Sequence, residues 1–548
     1  MAARGPFRSF RELYFRSPIS RWLLDKDGYS EIETSTTDAW PGDPETGRAI
    51  VDGNIIASGV LITTTDEAWS DLPPAAVHLE YLHGFSWLRD LRDLGGEAAR
   101  STARALVSSW IDQHDQWHPL TWRPDILGSR IALWLGTYEI FCEAAEDSFR
   151  VRVHASLARQ FRHLARDFNA APPGIHRLQA INGLVIASVA LDDAGSALSQ
   201  AERALLAEID NQINPDGGHV SRSPSRHRDA LMSLIDTRTA LRAAGREPSA
   251  DLDDAIDRMT SMLRLWRHGD GRLALFNQST ETRPGLLETI LARSESRLKT
   301  ATDATDTGFQ RLTGGRTCVI VDTGAPSQVE NSAHASPLAF EMSAGKQRLI
   351  VNCGTSIGDP RWSGPLRASA AHSMLMIDDH NAVEITGDGQ VGGRPITVDV
   401  DRQREDGASL IEAKHDGYQS RFGLLHSRRL YLSPSGDDLR GEDKLIYTGD
   451  PGALPKVATL RFHLHPRVRA SVVQRGASAL LRPPSGGVWR MRTDSGLDIN
   501  ESVYFGSDER QRCEQVVITA PLDQVREAGE ITVRWALRRE EARASVKD

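Results

Sequence analysis

The sequence predicts an α+β multidomain protein, a helical domain followed by an antiparallel all-β domain. Three observations carry that reading. The chain has 548 residues, more than the roughly 250–300 that one hydrophobic core serves, so two or three domains are expected. From about residue 75 to 300, apolar positions recur at helical spacing. Beyond residue 308 they fall in short β-type runs separated by Gly, Pro, Ser and Asp turns.

In the helical half, Ala201–Ile213 places Leu205, Ile209 and Ile213 on one face and stops at the turn sequence Asn214-Pro215-Asp216-Gly217-Gly218. Asp251–Trp266 repeats the pattern with Leu252, Ile256, Met259, Leu263 and Trp266. Leu178–Leu191 is apolar on nearly every side, as an inner-layer helix would be. Successive helices on short turns suggest stacked hairpins, as a solenoid or a closed toroid. The polar stretch Lys299–Gly308 reads as a linker. Strands are expected at Thr317–Asp322, Leu338–Met342, Arg348–Asn352, Met374–Ile377, Arg429–Leu432, Ala458–Leu464 and Ile531–Leu537. With no helices between them, they imply an antiparallel sandwich or barrel. The expected division is an N-terminal segment over 1–74, the helical domain over 75–300 and the β domain over 309–548.

Composition narrows the function classes. A chain that is 40% hydrophobic and 25% charged is neither mostly disordered nor a polytopic membrane protein. A net charge of −9 argues against a general nucleic-acid binder, although an acidic body can carry a basic cleft. Cys142, Cys318, Cys353 and Cys513 form no CxxC pair and no disulfide framework, which favours a reducing compartment. Arg21 interrupts the best apolar stretch near the start, and no run of 18 apolar residues occurs. A cytoplasmic location is therefore expected, with the periplasm as the alternative, and no membrane partner.

The chemistry-bearing residues fall in three places. His219, Arg222, Arg226, His227 and Arg228 crowd ten positions, and Pro224 should open a helix, putting the last three in its first turn. The positive end of that helix would add to their attraction for an anion. Pro172-Pro173-Gly174-Ile175-His176-Arg177 opens the very apolar helix and sets a polar pair at its mouth. In the β half, His334, His372 and one carboxylate or amide form a candidate set for zinc or another divalent metal, at a spacing too open to be diagnostic. Asp378–His380 reads as a turn. There is no GxSxG, P-loop, HExxH or paired-Cys motif.

These segments resemble the heparinase II/III family of polysaccharide lyases. Tyr81-Leu-His-Gly-Phe-Ser-Trp-Leu-Arg89 and Arg130-Ile-Ala-Leu-Trp134 look like its early helices. Ile175-His176-Arg-Leu is similar to its Asn-His-Leu motif, and Asp216-Gly-Gly-His219…Ser223-Pro-Ser-Arg226-His227 to its Asp-Gly-Gly…Ser-Pro-x-Tyr-His motif. His334-Ala-Ser-Pro-Leu-Ala-Phe-Glu341, Leu349-Ile-Val-Asn352-Cys-Gly-Thr355 and Ala371-His372-Ser373 resemble its β-domain signatures. The resemblance implies an incomplete (α/α) toroid followed by an antiparallel β-sandwich. It also implies an interdomain active site that cleaves an anionic, uronate-containing polysaccharide or oligosaccharide by β-elimination. Such chemistry needs positive or amide groups to neutralise the uronate carboxylate, a base for the C5 proton and an acid for the leaving oxygen.

Several usual participants are altered. Ile175 stands in place of the family's Asn, Arg226 of its catalytic Tyr, Ser332 of the first His, Ser336 of the following Asp, and Asn352 of the metal-binding Asp. Two readings follow. In a variant lyase, His176, His227 and His334 are the candidate catalytic residues, and Arg177, His219, Arg222, Arg226 and Arg228 hold the substrate. Arginine stays protonated, so Arg226 can clamp a carboxylate but cannot replace a tyrosine in proton transfer. In the alternative, the fold has lost elimination and binds an anionic glycan. The variant lyase is the favoured of the two, because basic groups are retained on both sides of the implied cleft.

Overall fold

A computed structural model describes residues 6–25, 32, 36–57, 60–63, 69, 76–191, 195–329, 331–356, 358–386, 390–449, 452–507 and 509–540. The chain forms two compact units, each assembled from separate segments. The first comprises Met1–Gln212, Asp229–Ile256 and Thr289–Glu295; the second comprises Ile213–Arg228, Asp257–Glu288 and Ser296–Asp548.

The first unit is mainly helical. Its longer helices are Gly96–His114, Pro124–Gly136, Asp147–Asp167, Ile175–Ala190 and Gly195–Gln212. Pro124 opens its helix at a position where a missing N–H costs nothing. The Ile175–Ala190 helix is buried on nearly every side, as its composition demands. It crosses the Pro124–Gly136 helix where Gly128 meets Gly183, and a Cβ on Gly183 would stand 2.3 Å from the Gly128 Cα. Both glycines are there for close approach, not for a turn. Gly183→Ala should cost roughly 1–3 kcal/mol by overpacking, read as a lowered Tm; an unchanged Tm would show that the helices separate without strain.

An aromatic cluster fills the interior of this unit. Trp110 and Trp134 pack edge to face at 5.5 Å, and Phe85 lies 5.3 Å from Trp134. The fully buried Arg130 stacks 4.0 Å over Trp110 and donates to the carbonyls of His83 and Thr121 at 3.0 and 2.9 Å. Rigid aromatics supply much of the buried area here, and the backbone acceptors compensate a cation removed from water.

The second unit holds two antiparallel sheets. One has eight strands in the order Arg469–Val473, Ser478–Arg482, Trp489–Thr493, Glu530–Arg539, Asp438–Tyr447, Leu424–Leu432, Ala408–His415, Val398–Glu405. The other runs Gly496–Tyr504, Gln511–Pro521, Val457–Leu464, Gln347–Val351, Phe340–Ala344, Thr317–Asp322, Phe309–Gly314, Asp303–Ala304, with Leu375–Ile377 also paired to Val457–Leu464. Phe340 stacks on Trp535 at 5.7 Å and Phe462 meets the same indole edge-on at 4.9 Å, so side chains from both sheets share one core.

All seven expected strands are present. The Arg429–Leu432 run proves to be the end of a longer strand, Leu424–Leu432, whose polar His426 and Arg428 hid its start because both are buried and paired. The expected linker is partly structured: Asp303 and Ala304 pair with Gln310 and Phe309 at a sheet edge.

Candidate functional site

The basic cluster of residues 213–228 belongs to the β-rich unit, and its hydrogen bonds explain why. The turn at Asn214–Gly218 closes through Gly217 N to Asn214 O at 2.8 Å, with Gly217 at φ +86°. Asp216 caps Gly218 N at 3.0 Å and accepts from Thr307 N at 2.7 Å and Thr307 Oγ1 at 2.6 Å. The Asp-Gly-Gly motif is thus a tie to the start of the β-sheet. Pro224 opens the helix Pro224–Ala243, as its sequence position requires.

Arg222, at φ +57°, is a buried clamp and not a substrate-facing cation. Its Nε donates to Thr307 O at 2.7 Å, Nη1 to Ala325 O at 2.7 Å and Nη2 to Gly308 O at 3.1 Å. It also pairs with Asp322 and lies 5.0 Å over the Phe309 ring. Its donors are spent on the β unit, which speaks against the expected substrate-binding role.

Two expected catalytic histidines are sealed in the same way. His227 is fully buried; its Nε2 donates to Met259 O at 2.8 Å, and Trp266 packs against its ring at 5.0 Å. Burial pushes its pKa down to about 4, only partly offset by that carbonyl. His334 Nε2 accepts from Gln278 N at 3.1 Å, which leaves Nδ1 to donate to His372 Nε2 at 3.0 Å. His372 Nδ1 in turn donates to Ala368 O at 2.8 Å. Burial drives His334 well below the usual histidine range, helped by the proximity of His372 and Arg367, and takes His372 to about 4. A neutral, tautomer-ordered relay results, with every ring nitrogen committed.

That relay also decides the proposed metal set. Asn352 Oδ1 accepts from Ser373 N at 3.0 Å, so the third candidate donor is engaged as well. No group of three His, Cys, Asp or Glu side chains among the described residues is arranged to hold a metal ion. With no anionic ligand and both imidazoles occupied by protein groups, His334, Asn352 and His372 do not fit a divalent cation.

The remaining candidates are nearer solvent. His219 is the exception: it is buried, its Nδ1 lies 2.7 Å from Ser221 Oγ, and burial lowers its pKa to about 3. Arg226 and Arg228 are half-buried in the first turns of their helix, and Arg228 Nη1 donates to Thr282 Oγ1 at 2.9 Å. In the helical unit, the side chain of His176 is 24% exposed, and its Nδ1 stands 2.9 Å from Asp125 Oδ2. Arg123 holds the same carboxylate at 2.7 and 2.6 Å and also reaches Glu80 at 2.6 Å. Burial opposes ionisation of Asp125, but the hydrogen bonds from His176 and Arg123 prevail and bring its pKa to about 2. Arg177 donates to Ala171 O at 2.9 Å and faces Glu208 at 3.6 Å.

Sequence reasoning missed the loop that organises the relay. Asn277 and Gln278 both adopt positive φ, at +47° and +61°. Asn277 donates to Arg222 O at 3.0 Å and accepts from His334 N at 3.2 Å, linking the clamp to the histidine pair. Consecutive Asn and Gln after the apolar Leu273–Phe276 run were the available signal, since Asn tolerates the left-handed region. A second buried pair, His268 Nε2 with Glu341 Oε2 at 3.0 Å, also went unremarked. Glu341 Oε1 accepts from the backbone of Leu275 and Asn352, which makes it a structural acceptor.

Comparison with known proteins places this geometry. Residues 98–289 match the heparinase II/III N-terminus model, and residues 296–536 match the heparinase II/III-like C-terminal model. FtsZ-localized protein C of Caulobacter vibrioides is 31% identical over 536 residues, covering 92% of this chain and 89% of that protein. Among solved structures, heparinase III superposes with a TM-score of 0.67 at 13% identity, covering 97% of this chain and 90% of the other. Heparan sulfate lyase HepC of Pedobacter heparinus gives 0.61 at 14% identity, covering 96% and 88%. The likeness to solved structures establishes the fold, a helical toroid plus a β-sandwich. With the family models spanning both halves, the chain belongs to the heparinase II/III family.

Proposed function

We propose that this chain keeps the polysaccharide-lyase fold for binding and has lost β-elimination, with an anionic glycan as its ligand. The observation that supports this most is the sealing of His227 and His334: each is buried, neutral and tied to protein partners. A base must reach the proton that it removes. Arg226 stands at the position resembling the family's catalytic tyrosine, and an arginine is not a residue type that can take a tyrosine's part in proton transfer. His176, held by Asp125, is the one expected catalytic residue with solvent access, and alone it supplies neither the neutralising group nor the leaving-group acid. Arg226 and Arg228, half-buried in the first turns of one helix, are the cations that this reading assigns to a carboxylate or sulfate.

The test is equilibrium binding of the full chain to heparan sulfate and to other uronate polymers across a salt series. Binding should weaken steeply with salt, and R226A together with R228A should reduce affinity about tenfold. Salt-insensitive binding, or none, would remove the glycan from the account. A second reading is favoured by the 31% identity to FtsZ-localized protein C across 92% of the chain. On that reading the protein attaches to an FtsZ filament, and cosedimentation with polymerised FtsZ in the absence of glycan is its signature.

A further inference from the structure

The solvent face of the eight-stranded sheet carries a depression of about 580 Å³. Strand register builds its floor. Leu410, Tyr431, Arg440, Ala536 and Arg492 are successive cross-strand partners on five adjacent strands, so their side chains form one row. The alternate residues Leu430, Leu439 and Leu537 are buried, which turns this row outward. At roughly 4.8 Å per strand, the row runs about 19 Å. Leu410, Tyr431 and Ala536 are half-buried and supply an apolar surface along it.

The charges around that surface are unequal. Arg429, Arg440, Arg492 and Arg534 line the depression against only Glu442 and Asp494, in a chain of net charge −9. Arg534 is committed to Glu442 at 2.9 Å, and Arg440 to Asp438 at 2.7 Å while lying 5.6 Å over the Tyr431 ring. Asp494 Oδ1 accepts from Arg534 N at 3.0 Å, and Glu412, opposite Arg429, is held by Lys414 at 2.9 Å. The carboxylates nearby are therefore spent on other donors. Arg429 and Arg492 are exposed and have no hydrogen-bond or ion-pair partner among the described residues. Arg492 faces only Ser478 and Ala536 across its two strand pairs.

We infer that this trough is a second binding site, for a chain of several sugars bearing carboxylate or sulfate groups. Arg429 and Arg492 would each take one anionic group, and sugar rings would lie along Leu410, Tyr431 and Ala536. The class of ligand rests on the glycan reading proposed for the chain, but the trough shares no residue with Arg226 and Arg228. A length of about 19 Å suits an extended oligomer better than a single small molecule. An acidic peptide fits less well. Each of the five strands is paired on both sides, so its backbone groups are spent in the ladder and leave none for a peptide main chain.

The test titrates a heparan sulfate tetrasaccharide into the full chain and reads stoichiometry and affinity by calorimetry. The parent should bind two. R429A with R492A, altered only at exposed positions and checked for an unchanged melting curve, should bind one, and R226A with R228A should retain the trough site. Y431A should weaken that site at least about fivefold. Unchanged stoichiometry and affinity in R429A with R492A overturn the trough, whatever the other pair does. Binding abolished by R429A with R492A but untouched by R226A with R228A keeps the trough and removes the proposed site at Arg226 and Arg228. A polyglutamate peptide held more tightly than the tetrasaccharide through Arg429 and Arg492 would assign the face to an acidic protein segment and overturn the glycan.

Discussion

Replacing Arg222 with alanine should destabilise the protein by roughly 3–5 kcal/mol, the range for removing one partner of a buried ion pair. The buried guanidinium satisfies the carbonyls of Thr307, Gly308 and Ala325 and the carboxylate of Asp322. Burial raises the Asp322 pKa even with Arg222 beside it, so without the arginine the carboxylate has little reason to stay charged. Lysine is no substitute, because one ammonium cannot reach four acceptors set around a planar fork. Urea unfolding of R222A and R222K measures the loss. A change under about 1 kcal/mol in both would mean that the clamp is not structural, and would reopen Arg222 as a ligand-binding residue.

Asp443→Ala should cost a similar amount, roughly 3–5 kcal/mol, in the interior of the β unit. The carboxylate lies 2.7 Å from Arg428 Nε, 2.8 Å from His426 Nε2 and 2.8 Å from Trp535 Nε1, and His426 meets His415 at 3.1 Å. Removing it strands a buried guanidinium and orphans an indole N–H. Burial acts to raise the Asp443 pKa, but Arg428 and His426 overcome it and hold the group well below the usual carboxylate range. The folded value is thus below the unfolded value of about 3.9, so this stabilisation is complete above roughly pH 4 and is lost as pH falls below it. Acid unfolding of the parent should therefore steepen below that pH, and D443N, which keeps the shape without the charge, should lose that steepening. Parent and D443N profiles that run parallel would show that the charge contributes nothing.

Much of the architecture was legible because it depends on local periodicity. Leu205, Ile209 and Ile213 mark a helix wherever they sit, and Pro224 announces a helix start by its chemistry alone. The strand Thr317–Asp322 was read to the residue, since a continuous β-branched run between turns has few other uses. The site was less legible for a physical reason. A sequence displays an arginine or a histidine but not what its N–H groups bond to. Arg222 finds its acceptors about a hundred positions away, and His334 is fixed by a backbone N–H at Gln278. The same residues that read as a reactive cluster therefore read equally well as a buried network. His176 differs because its partner Asp125 leaves part of the ring in solvent.

The central claim, binding without elimination, meets its most direct test in a glycan that the protein binds. Elimination leaves an unsaturated uronate that absorbs in the ultraviolet, so one prolonged incubation with the bound polymer settles the matter. The account predicts no rise in absorbance for the parent chain, with salt-sensitive binding intact. A rise that disappears in His176→Ala would contradict it, and would restore the His176–Asp125 pair as the base of a working lyase.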